Sequence, residues 1–170
     1  MQVKNNGHTV VTKLAEVPGG DDEEDPKNSF TSQIAKTEFG VQTPTFKATQ
    51  FYFHSGSQHT IDGHRFDLEM ETTHVLTEVD NGFVAGAVGI LFDTTFHNAV
   101  LTPQQVKLID NFFNDLKFDS DNPTPDEIRY GDLMKLVDVE NRWVYQGSTT
   151  TPPCSTKVYW NVVQTVYPIK

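Results

Sequence analysis

Apolar and polar residues alternate with a period of two through much of this chain, the spacing of half-buried strands. Thr45–His54 alternates in this way, and so does Phe66–Val75. Phe83–Phe92 is instead a nearly continuous apolar run with glycines and alanines inside it, which predicts a central strand covered on both faces. Trp143–Tyr145 and Lys157–Tyr167 read as two further strands, and the β-branched run from His8 to Leu14 as another. One segment has helical spacing. Thr102 is an N-cap residue, Pro103 suits the first turn, and Val106, Ile109, Phe112, Phe113 and Leu116 recur on one side. Asp119–Pro125 is a turn-rich connection. The pattern predicts a mostly β (α+β) domain over residues 1–170 with one or two peripheral helices.

Charge changes the picture in one place. Residues 18–29 contain Pro18-Gly19-Gly20, the acidic run Asp21–Asp25, and Pro26. Consecutive like charges bounded by glycine and proline predict an exposed loop or a contact to a basic partner surface. Over 170 residues, 13 basic and 23 acidic side chains leave a net charge of −10. Such a surface repels phosphate backbones, so nucleic acid is not an expected partner. No run approaches the roughly 18 consecutive apolar residues of a membrane helix, so a direct membrane span is not expected. Met1–Asn6 is polar and lacks the apolar segment of a secretory signal. The single cysteine, Cys154, cannot close an internal disulfide.

Three motifs carry candidate chemistry. The first runs Gln50-Phe51-Tyr52-Phe53-His54-Ser55-Gly56-Ser57-Gln58-His59-Thr60; the second is Glu69-Met70-Glu71-Thr72-Thr73-His74. The third is Tyr145-Gln146-Gly147-Ser148-Thr149-Thr150-Thr151-Pro152-Pro153-Cys154, with Trp160 after it. In order and spacing they resemble the α-carbonic anhydrase family, with its Q-F-H-F-H, S-E-H-T, E-x-H-x-x-H and G-S-x-T-T-P-P-C segments. Asn6-Gly7-His8 is a weaker match to the N-G-H that carries the family's proton-shuttle histidine. The resemblance spans about Asn6 to Ile169. It implies the family's central twisted, mainly antiparallel sheet with short peripheral helices. It also implies a partial domain, because the family's N-terminal third and its C-terminal part have no counterpart here; either the sequence is truncated or a partner supplies those contacts.

The resemblance places three zinc ligands on two neighbouring strands, all imidazoles in the family. Here those positions hold Tyr52, His54 and Glu71, so one imidazole remains. A phenol with a pKa of about 10 is a poor zinc ligand. Glu71 could ligate, but its charge would raise the pKa of a metal-bound water. His74 lies three residues from Glu71 and so points to the opposite strand face. The family's hydroxide-orienting threonine corresponds to Thr150, and the glutamate that orients it to Gln58, a neutral amide that no longer forces the direction of the hydrogen bond. The CO2 pocket corresponds to Thr73, Ala87, Thr149 and Trp160, which is partly polar. His59, Glu69 and Tyr145 correspond to a buried polar network behind the site. Trp143 and Trp160 read as core aromatics. Cys154 matches one half of a disulfide found in extracellular members, which leans toward an organellar, luminal or extracellular compartment.

These positions predict no catalytic residues, Thr150, Gln58 and His8 being vestigial, and no resident metal or other cofactor. The expected function is a non-catalytic, carbonic-anhydrase-like structural or interaction subunit whose partners are other protein subunits. One alternative is a residual zinc-dependent carbonate dehydratase that rebuilds a metal site from His54, Glu71 and Tyr52. Another is a cleft that binds a small molecule or ion.

Overall fold

The computed structural model describes the backbone of residues 2–5, 9–13, 29–31, 34–37 and 40–42, and backbone and side chains of 45–76, 83–117 and 128–170. His8, residues 18–28 of the acidic segment, and the Asp119–Pro125 connection lie outside the described residues; Ser29 opens a strand.

The chain begins with β1 (Gln2–Asn5) and β2 (Thr9–Lys13), an antiparallel pair. Three short strands follow: β3 (Ser29–Thr31), β4 (Ile34–Thr37) and β5 (Gly40–Gln42). The long β6 (Thr45–Ser55) leads into a small hairpin of β7 (Thr60–Ile61) and β8 (His64–Arg65). Asp62 and Gly63 turn that hairpin with φ of 51° and 79°, the left-handed conformation a two-residue Asp-Gly turn requires. Next come β9 (Leu68–Leu76) and β10 (Ala85–Asp93), helices α1 (Pro103–Asp115) and α2 (Tyr130–Leu136), then β11 (Arg142–Ser148) and β12 (Thr156–Pro168).

Among the described residues the main sheet runs β1-β2-β6-β9-β10-β12-β11, with β3 also paired to β6. All these pairings are antiparallel except β10–β12. Parallel neighbours need a long crossover, and α1 and α2 lie in the one between β10 and β12. Helix α1 starts as its sequence predicts: Thr102 Oγ1 accepts from Gln105 N–H at 3.3 Å, and Gln105 Oε1 accepts from Thr102 N–H at 2.8 Å. Helix α2 has no side-chain cap and is held by packing, with Tyr130 and Leu133 buried.

The main core lies between the helices and one face of the sheet. Phe51 and Phe53 of β6, Met70 of β9, Val88, Ile90 and Phe92 of β10, and Val163 and Tyr167 of β12 meet Ile109, Phe112, Leu116, Tyr130 and Leu133 there. Phe51 stacks on Tyr130 with ring centroids 5.4 Å apart. The edge strand β11 departs from expectation. Trp143 is 45% exposed, as are Val144 and Tyr145 at 51% and 43%, so Trp143 is not a core aromatic. Its partner β12 covers one side of the strand only, and among the described residues nothing pairs with the other. Trp160, on β12 itself, is buried as expected.

Candidate functional site

The site grows from the other face of the same strands. Residues two apart share a face, so Tyr52 and His54 stand together on β6, and Glu69, Glu71 and Thr73 on β9. The register sets Tyr52 opposite Glu71 and His54 opposite Glu69. Across β10, Gly89 faces Glu71 and Ala87 faces Thr73; across β12, Trp160 faces Ala87. Tyr145 of β11 pairs with Trp160 and stacks on its ring, centroids 6.1 Å apart.

Tyr52, His54, Glu71 and Thr150 converge. Thr150 Oγ1 donates to Glu71 Oε2 at 3.1 Å, and the Tyr52 hydroxyl lies 3.3 Å from Thr150 Oγ1. With its proton given to the carboxylate, Thr150 accepts from the phenol. Burial first, and the Glu71 charge second, push the Tyr52 phenol well above its usual range, so it stays protonated. His54 Nε2 is 3.7 Å from Glu71 Oε1, inside ion-pair reach but too long for a hydrogen bond. Among the described residues neither of those two buried atoms has a hydrogen-bond partner.

The expected pairing of Gln58 with Thr150 is replaced by another. Gln58 is exposed, its amide nitrogen lies 3.3 Å from His54 Nδ1, and Thr150 turns to Glu71 instead. The cause is the residue at position 71. A carboxylate there is a stronger acceptor than a neutral amide, and it lies within reach of the threonine hydroxyl. The amide donates to Nδ1, so a neutral His54 ring carries its proton on Nε2.

Behind this cluster lies a second one. Glu69 is fully buried, and its Oε2 accepts from the backbone N–H groups of Gln58 and His59 at 2.8 and 2.9 Å. Its Oε1 meets His59 Nδ1 at 2.5 Å, and His59 Nε2 meets the Tyr145 hydroxyl at 2.7 Å. Burial by itself lowers the His59 pKa; the Glu69 hydrogen bond and the charges of Glu69 and Glu71 outweigh it and leave the pKa raised. Burial and the same two carboxylates raise Tyr145 to about 12. The network expected behind the site is therefore present, although Tyr145 is half-exposed at its rim rather than buried.

Of the four expected pocket residues, Thr73, Ala87 and Trp160 sit in register across three strands, with Ala87 and Trp160 packed against Val158 and Val162. Thr149 follows β11; its hydroxyl donates to the Thr151 carbonyl, and its N–H to the Ser155 carbonyl. His74 is buried on the opposite face, Nδ1 3.1 Å from the Thr72 carbonyl, and burial lowers its pKa to about 3. Cys154 is an exposed free thiol with φ of 55°.

Sequence reasoning missed Gly89. A Cβ there would lie 2.7 Å from Glu69 Oε1 and 3.7 Å from His59 Nδ1, so only glycine leaves room for that hydrogen bond. The available signal was the glycine itself, inside an otherwise apolar central strand.

The family profile described as "Eukaryotic-type carbonic anhydrase" matches residues 1–170. Alpha carbonic anhydrase 2 of Arabidopsis thaliana is 29% identical over 168 residues, covering 96% of this chain and 56% of the relative. A carbonic anhydrase of Nostoc sp. is 31% identical over 126 residues, 71% of this chain and 41% of the relative. The chain thus spans about half the length of the curated relatives it matches. Among solved structures, the α-carbonic anhydrase of Thermovibrio ammonificans with the inhibitor sulfanilamide superposes with a TM-score of 0.59 at 22% identity. That superposition covers 100% of this chain and 62% of the other, and it shows the fold alone.

Proposed function

We infer that this chain, which belongs to the eukaryotic-type carbonic anhydrase family, does not hydrate CO2 and serves as a structural or interaction subunit of a larger assembly. Members of the family are typically zinc enzymes, the metal supplying a hydroxide at neutral pH. The residues at the three ligand positions do not fit that ion. One imidazole remains, the phenol beside it stays protonated, and the third position is a carboxylate already accepting from Thr150.

The observation that carries the reading is the chain of hydrogen bonds from Tyr52 to Thr150 to Glu71. In it Tyr52, Thr150 and one oxygen of Glu71 satisfy one another, while His54 Nε2 and Glu71 Oε1 have no hydrogen-bond partner among the described residues. A zinc ion could reach His54 Nε2 and Glu71 Oε1, but to gain the third ligand it would have to take a proton from Tyr52. The interaction half of the reading is supported by β11, where Trp143, Val144 and Tyr145 are exposed along a sheet edge. Exposed aromatic residues on an edge that is unpaired among the described residues are a surface that another chain can cover.

The test is calorimetric zinc titration and CO2 hydration by the wild-type chain and by the Tyr52→His/Glu71→His double variant. The expected result is no hydration by the wild type, with zinc affinity rising sharply in the double variant as two neutral nitrogens replace a phenol and a carboxylate. Adding Gln58→Glu returns an acceptor for Thr150 once Glu71 is gone, and activity is expected only in that triple variant. Hydration of CO2 by the zinc-loaded wild type would overturn the reading.

A further inference from the structure

Glu69 and Glu71 are both fully buried, side by side on one face of β9, and that region is short of positive charge. Among the described residues, Glu69 pairs with His59, and Glu71 has only His54 at 3.7 Å. With His59 as imidazolium, the three groups His59, Glu69 and Glu71 still sum to one negative charge. Burial disfavours an uncompensated charge strongly. A divalent cation in place of the His59 proton brings the sum to zero.

The geometry is already close to that of a ligand set. A ring nitrogen of His59 and one carboxylate oxygen each from Glu69 and Glu71 lie within 4.8 Å of one another. Ligands on opposite sides of an ion bound at about 2.0–2.2 Å are separated by about 4.0–4.4 Å, so small torsional changes close the set. Two backbone N–H groups fix Glu69 Oε2, which turns Oε1 toward His59 Nδ1. The Tyr145 hydroxyl holds His59 Nε2 at 2.7 Å, as an outer partner orients a ligating imidazole. Two further observations point to a ligand. Among the described residues Glu71 Oε1 is buried without a hydrogen-bond partner, so a lone pair is free. Gly89 keeps the floor bare, since any side chain there would occupy the space beside Glu69 Oε1 and His59 Nδ1.

We propose that His59, Glu69 and Glu71 bind an oxygen-favouring divalent cation of the Mn2+ class, one layer behind the family's zinc position. Two carboxylates with one imidazole suit such an ion better than a three-imidazole zinc set does. Glu71 is common to both positions; His59 and Glu69 are not zinc-position residues. When the ion enters, the His59 Nδ1 proton leaves to solvent and the ring becomes a neutral ligand. The site goes beyond the function proposed above and does not depend on it.

The experiment uses the full chain stripped with a chelator and titrated with Mn2+, read by calorimetry and by electron paramagnetic resonance. The expected result is one ion per chain with coupling to one imidazole nitrogen. Tyr52→Phe and His54→Gln should keep both the ion and the coupling. Glu69→Gln should weaken binding by more than about tenfold, and His59→Gln should abolish the nitrogen coupling. No saturable binding at about 1 mM Mn2+ overturns the proposal, and so does loss of the coupling in His54→Gln, which would place the ion at the zinc position. If Glu69→Gln or His59→Gln fails to fold, the His54→Gln spectrum decides alone: coupling retained supports the site, coupling lost rejects it. CO2 hydration by zinc-loaded protein would sink the non-catalytic reading and leave the Mn2+ result standing, so the two failures are distinguishable.

Discussion

Strands β6 and β9 present different chemistry on their two faces. On the helix side, Phe51, Phe53 and Met70 are buried among the rings and aliphatic side chains of α1, α2 and β10. On the other side, one residue along each strand, Tyr52, His54, Glu69 and Glu71 are held by hydrogen bonds and charge. The apolar face is satisfied by contact area alone, so it tolerates approximate chemistry provided volume is kept. The polar face is held by individual hydrogen bonds, with His54 Nε2 and Glu71 Oε1 left without one among the described residues, and a change at one position redirects its neighbours. A carboxylate at position 71 captures Thr150 and leaves Gln58 to turn to His54.

The largest effect expected from breaking this contrast lies on the apolar face. Phe51→Ala removes a fully buried ring packed on Tyr130, Phe53 and Phe112. It should cost about 3–5 kcal/mol, seen as a lower urea midpoint with an unchanged slope. A loss no larger than that of a surface substitution would mean the helices do not seal this face.

On the polar face the matching change is Glu69→Ala. It strands two backbone donors and the His59 ring, and should cost about 3 kcal/mol. Unlike Phe51→Ala, it should also return the His59 pKa toward its ordinary value, measured by NMR titration. The two histidines sharpen the contrast further, because they titrate in opposite directions. The His59 pKa is raised in the fold, so its contribution is full below the unfolded value near 6.5 and is lost as pH rises through the folded pKa. His74, lowered to about 3, is neutral in the fold, so its contribution is present above the unfolded value near 6.5 and is lost as pH falls toward 3. The NMR signals of metal-free protein near neutral pH should show His59 as the more protonated ring and His74 as neutral until acid unfolding. The reverse pattern would exchange the characters assigned to the two faces.

Gly89→Ala should cost about 1–3 kcal/mol by overpacking and should lower the His59 pKa, because the new methyl displaces Glu69 Oε1. Gly86→Ala, on the same strand but against the Phe46 ring, should destabilise without moving His59. Equal effects on His59 from both glycines would show that the pKa reports general loosening rather than the close approach at Gly89. The smallest effect belongs to the edge strand. Trp143→Ala in the isolated chain should change stability by less than about 0.5 kcal/mol, the behaviour of an exposed aromatic. A larger loss would mean that β11 is covered in solution.

Alternation made the two faces legible before any coordinates. The period of two over Thr45–His54 and Phe66–Val75 separates Phe51 and Phe53 from Tyr52 and His54, and the strands observed there are Thr45–Ser55 and Leu68–Leu76. Thr102 and Pro103 set the start of α1 in the same local way, because a cap needs only its own first turn. Helix α2 was not legible: seven residues without a side-chain cap carry little local signal, and its place depends on Tyr130 and Leu133 finding the core. The exposure of Trp143 was hidden for a related reason. An aromatic at an edge has the same sequence pattern as one in the centre, and only strand order separates them.

The sequence by itself determined the strands, the sorting of their two faces, and that Tyr52, His54 and Glu71 share one of them, since these follow from spacing and residue type. Tertiary structure decided which polar atoms meet. Thr150 reaches Glu71 rather than Gln58, and Gly89 admits Glu69 to His59, because hydrogen bonds are settled over tenths of an ångström between strands distant in sequence. No one-dimensional pattern carries that distance.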